Sequence, residues 1–100
     1  MKNHIPISEE RITDFCRRWK IEELSLFGSI LRDDFRPDSD VDVLVAFAPG
    51  TRPNLDDWLD MLDELEDIFG REVDLVERRS VTNPFRRYEI LTTRQVVYAA

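Results

Sequence analysis

Two carboxylates one residue apart open an otherwise apolar run, Asp40-Val41-Asp42-Val43-Leu44-Val45. Successive side chains on a strand point to opposite faces, so Asp40 and Asp42 share one face while Val41, Val43 and Val45 share the other. Their Cα atoms then lie about 6 to 7 Å apart, at roughly 3.3 Å of rise per residue. Asp packs poorly on a pleated, half-buried surface, and carboxylates held this close repel unless a cation joins them. A divalent metal is the expected occupant. Hard cations such as Mg²⁺ take one or two protein carboxylates and complete their shell with substrate phosphates and water. Gly28-Ser29, separated from Asp40 by ten residues, supplies the complementary half of such a site. Gly28 lets the backbone turn sharply and approach a ligand, and Ser29 brings a hydroxyl and free N–H groups at a helix start.

Gly28-Ser29, ten residues, then Asp40-x-Asp42 resembles the signature of the DNA polymerase beta-like nucleotidyltransferase superfamily. The short length and the run Arg32-Asp33-Asp34-Phe35-Arg36-Pro37-Asp38-Ser39-Asp40 resemble its minimal nucleotidyltransferase (MNT) branch, and the likeness extends from Leu24 to the end of the chain. Typical members carry Arg after the Gly-Ser and Gly after the second Arg, where this chain has Ile30 and Asp33. The resemblance implies a third carboxylate on a neighbouring strand, which falls to Asp74, as a metal ligand or the group that receives the acceptor's proton. It implies two Mg²⁺ ions on Asp40 and Asp42, about 3.5 to 4 Å apart, clamping the entering and leaving oxygens of an in-line displacement. Ser29 and the adjacent amides would seat the triphosphate. Arg32 reads equally as a phosphate contact or as a solvated surface charge.

The same resemblance implies a reaction and a partner. Members of the branch are commonly paired with a helical HEPN ribonuclease toxin and act as its antitoxin, transferring AMP from ATP to a tyrosine on it. An alternative expectation is a catalytically silent module that neutralises its partner by contact alone, through the acidic helix or the arginine-rich tail described below.

Composition narrows the remaining classes. The chain has 100 residues, 42% of them hydrophobic and 35% charged, as expected of one folded domain. It has no apolar run of membrane-spanning length and no signal-peptide core, and its single Cys16 suits a reducing compartment, so the cytoplasm is expected. The net charge of −7 is concentrated between Asn54 and Phe69, where seven acidic residues meet no basic one. That balance argues against general nucleic-acid binding. No Walker-type phosphate loop is present.

These residues must be positioned by an α/β (α+β) fold: a small mixed sheet of three to four strands with flanking helices. Ser8 as N-cap and the spacing of Ile12, Phe15, Cys16 and Trp19 predict a helix over 8–20, with Cys16 a small core residue. Strands are expected at Glu23 to Phe27, Val41 to Phe47 and Glu72 to Val76, the second of them central, with a short helix at Ile30 to Phe35. Asn54 caps a helix whose Leu55, Trp58, Leu59, Leu62, Leu65 and Phe69 form one stripe ending at Gly70. Asn83-Pro84 starts another helix running to about Leu91, and Arg94 to Ala100 is a fourth strand or a helical end. Arg78, Arg79, Arg86 and Arg87 are candidates for phosphate or acidic-partner contacts. A three-stranded core uses up the chain, so either the acceptor is expected to be a macromolecule that brings its own surface or another subunit is expected to complete the site.

Overall fold

A computed structural model of the chain describes residues 7–28 and 40–100. The expected short helix at 30–35, together with Ser29, Arg32 and Asp33, lies outside the described residues. Among the described residues the elements run α1 (Glu9–Arg18), β1 (Ile21–Phe27), β2 (Val41–Phe47), α2 (Leu55–Phe69), β3 (Val73–Glu77), α3 (Pro84–Thr93) and β4 (Gln95–Ala99), with a short 3₁₀ turn at Arg78–Ser80 before α3.

Local chemistry sets most of these boundaries. The Ser8 side chain accepts from Arg11 N, and acidic Glu9 and Glu10 occupy the first turn of α1. The helix stops at Arg18, and β1 begins two residues earlier than expected, because Lys20 takes a left-handed φ of 56° that reverses the chain. At a non-glycine residue that turn costs about 1 kcal/mol, and the hydrogen bond from Ala48 N to Lys20 O helps to hold it. Asn54 and Asp57 form a reciprocal capping box at the start of α2, and Gly70 ends the helix at φ 70°. Asn83 Oδ1 accepts from both Phe85 N and Arg86 N, with Pro84 at the first helical position of α3.

The four described strands form one mixed sheet in the order β3-β2-β1-β4. β1 pairs antiparallel with both β2 and β4, while β2 and β3 are parallel and joined through α2. β2 is therefore central, and the C-terminal segment is a strand because β1 offers it a pairing edge. β3 runs one residue later than expected.

Leu24, Leu26, Val41, Val43, Val45, Val73 and Leu75 point to one face of the sheet, where α1 contributes Ile12, Phe15 and Cys16 and α2 contributes Met61, Leu65 and Phe69. The α2 stripe needs correction. Leu55 and Leu59 are 72% and 49% exposed, because the buried face is centred on Met61, Leu65 and Phe69, with Trp58, Leu62 and Ile68 packed against the same cluster. The acidic side of α2 is not merely solvated. Asp67 pairs with Arg11 at 2.6 Å, Glu64 pairs with Arg18 at 2.5 Å, and Glu66 accepts from Val73 N at 3.2 Å. On the other face Phe27, Leu44, Val81 and Ile90 form a smaller cluster that fixes α3 over part of the sheet. Among the described residues no helix is long and apolar enough to cross a membrane.

Candidate active site

The alternation that sends Val41, Val43 and Val45 into the larger core sends Asp42 to the opposite face, the one α3 covers only in part. Asp42 is paired in register with Phe27 on one side and Asp74 on the other. Residues in register on adjacent strands point the same way, so Phe27, Asp42 and Asp74 stand side by side across three strands. Neighbouring strands lie about 4.8 Å apart, which places the two carboxylates within reach of one ligand. Asp40 sits immediately before β2 and is exposed, as is Asp74, while Asp42 is half-buried. Among the described residues no three His, Cys, Asp or Glu side chains are drawn together tightly enough to hold a metal. Asp42 and Asp74 share a face of the sheet, and no third described carboxylate closes on them.

Gly28 follows β1 at the level of Asp42. Its φ of 75° is left-handed, and a Cβ built there would stand 2.2 Å from Asp42 Oδ2. Both the turn and the space for the carboxylate therefore require glycine.

A pocket of about 360 Å³ opens beside these residues, lined by Phe27, Gly28 and Asp42 from the sheet and by Arg86, Glu89, Ile90 and Thr93 from α3. Positions 86, 89, 90 and 93 recur at helical spacing, the one sign in the sequence that they share a face. Glu89 and Thr93 are site residues that sequence reasoning missed. The other basic candidates lie elsewhere. Arg78, Arg79 and Arg87 line a hollow with Glu22, Ala46 and Phe47, toward the far end of β2 from Asp42. Arg87 Nη1 donates to the carbonyl oxygens of Arg78 and Val81, a structural task.

Two further groups are structural. Cys16 is fully buried in the larger core, and burial pushes its thiol up from 9.0 to about 12, so it is no nucleophile. Glu23 accepts from Arg94 Nε at 2.9 Å, and that hydrogen bond holds its carboxyl below the usual range of about 4.5, against the opposing effect of burial.

The nucleotidyltransferase domain family matches residues 9–97 of the chain. Protein adenylyltransferase MntA of Thermococcus cleftensis is 35% identical over 81 residues, spanning 81% of this chain and 77% of that protein. A chain in the crystal structure of a toxin-antitoxin with AMP-PNP superposes with a TM-score of 0.72 at 22% identity, covering 94% of this chain and 75% of its own length. A chain in the structure of tri-AMPylated Shewanella oneidensis HEPN toxin in complex with MNT antitoxin gives 0.64 at 21% identity, over 92% and 70%. At these identities the two structures establish a shared fold.

Proposed function

The chain belongs to the nucleotidyltransferase domain family, and from that premise we propose that it transfers AMP from ATP, with Mg²⁺, to a tyrosine hydroxyl of a HEPN toxin and so acts as its antitoxin. One observation carries the reading most directly. Asp42 stands in register beside Asp74 on parallel neighbouring strands, and it lines a pocket next to Gly28, whose missing side chain leaves room for the Asp42 carboxylate.

Acceptor-only carboxylates on one face, with glycine removing the nearest obstruction, suit a hard cation. Asp40 and Asp42 would hold Mg²⁺, with Asp74 either completing that set or receiving the acceptor's proton. Bound there, the metal supplies charge neutralisation at the phosphates. Ser29 and Arg32 seat the triphosphate. The tyrosine oxygen attacks the α-phosphorus, its proton passes to a carboxylate or water, a new P–O bond forms and pyrophosphate leaves. Positioning and electrostatics suffice for such a transfer, so the chain needs no covalent nucleophile.

Incubation with α-labelled ATP, Mg²⁺ and the cognate toxin tests the proposal. Label should appear on the toxin. Absence of transfer from every nucleoside triphosphate would sink it.

The three carboxylates do not close on one point as they stand, which favours keeping a second reading: neutralisation by contact without catalysis. An Asp40→Asn, Asp42→Asn double variant separates the two. Catalysis predicts that this variant no longer silences the toxin, and contact alone predicts that it still does.

A further inference from the structure

We propose that Arg86 binds the phosphate tail of the nucleotide, an inference that rests on the nucleotidyltransferase reading and assigns one wall of the pocket. The sheet side of that pocket carries Asp42, and the α3 side carries Arg86, Glu89 and Thr93. Two of its described charges are therefore negative and one is positive. A polyphosphate entering beside Glu89 meets repulsion from the α3 wall unless that wall also offers a cation. Mg²⁺ serves the Asp42 wall under the proposed function. On the opposite wall the only described cation is Arg86.

The start of α3 does not offer its amides instead. Phe85 N and Arg86 N already donate to Asn83 Oδ1, at 3.0 and 3.1 Å. Among the described residues the guanidinium of Arg86, by contrast, has no hydrogen bond or ion pair, although Glu89 lies one helical turn away. Other arginines of the chain have structural work. Arg11 and Arg18 tie α1 to α2, Arg87 holds two carbonyl oxygens, and Arg94 holds Glu23. Arg86 combines a free planar fork with a place on the wall facing Asp42. A guanidinium matches phosphate oxygens in two-point geometry better than an ammonium does.

The test compares wild type, Arg86→Ala and Arg86→Lys by calorimetric titration with ATP, tripolyphosphate and adenosine in Mg²⁺. Arg86 is exposed on the first turn of the helix, so the alanine variant should fold with an unchanged thermal midpoint. Loss of a charge-assisted contact should weaken ATP and tripolyphosphate about 10-fold or more. Adenosine should bind as before, and lysine should recover part of the loss. Unchanged ATP affinity in Arg86→Ala, alongside weakened affinity in Asp42→Asn, overturns the role of Arg86 and leaves the nucleotidyltransferase reading intact. Equal weakening of adenosine overturns the assignment to the phosphates. If wild type binds no ATP, both proposals fall.

Discussion

Asp42 Oδ2 occupies space that a side chain on residue 28 would claim: a Cβ built on Gly28 would lie only 2.2 Å from it. The turn after β1 and the carboxylate of the central strand fit together only because one of them has no side chain.

Gly28→Ala should therefore harm both stability and chemistry. The left-handed backbone alone costs about 1 to 2 kcal/mol in an L-residue. Asp42 must also move, and displacement of a reacting group by about 1 Å can lower turnover about 100-fold. Urea denaturation and a toxin-labelling assay read the two effects separately. An alanine variant as active as wild type would show that the position of Asp42 is immaterial.

Asp74→Asn probes the carboxylate on the neighbouring strand. Asp74 is exposed, so stability should change by less than about 0.5 kcal/mol. Transfer should fall about 100-fold or more, whether the group binds metal or takes a proton. Asp63→Asn, an exposed change on α2, is the control and should leave the rate alone.

Cys16 should resist thiol reagents at pH 8 in the folded protein and react once denaturant opens the core. Its thiol stays protonated in the fold up to about 12, whereas the unfolded chain loses that proton from about 9.0. Between those values the unfolded state binds fewer protons, so stability must fall as pH rises. The decline begins near pH 9 and should be shallower in Cys16→Ala, as measured by denaturant midpoints against pH.

The Glu23 and Arg94 side chains are only 21% and 18% exposed, unlike the Arg11–Asp67 pair at 49% and 78%. Solvent screens the exposed pair, which contributes little. Arg94→Ala leaves Glu23 with only the Ser25 hydroxyl as a described donor and should cost about 1 to 3 kcal/mol at neutral pH. The carboxyl titrates below its ordinary value in the fold. Its contribution is therefore present above pH 4.5 and lost as pH falls below that point, and Arg94→Ala should flatten this acid limb.

What the sequence revealed was whatever local rules govern. Asn54 with Asp57, Gly70, Asn83-Pro84 and the Asp-Val alternation of β2 each act within a few residues, and each marks its element. Lys20 carries no turn signal, since any L-residue is strained at its φ, and the start of β1 was misplaced accordingly. The α2 stripe differs at Leu55 and Leu59 because apolar residues on this helix span more than one face, and only packing selects the face that holds Met61, Leu65 and Phe69. The acidic residues of α2 read in the sequence only as a concentration of charge. Their ties to Arg11, Arg18 and Val73 N depend on the packing of helices and strands distant in sequence. The far wall of the pocket was hidden for the same reason. Arg86, Glu89 and Thr93 meet Asp42 only once Ile90 docks on Phe27 and Leu44.

The strand order gives the paired acids unequal security. Asp42 belongs to a strand hydrogen-bonded along both margins, whereas Asp74 rides on one whose outer margin pairs with no described strand. Fraying begins at such margins. A brief peeling of residues 73–77 would carry Asp74 away while Asp42 stayed seated, so amide exchange along that outer strand sets an upper bound on how much of the time the pair is assembled.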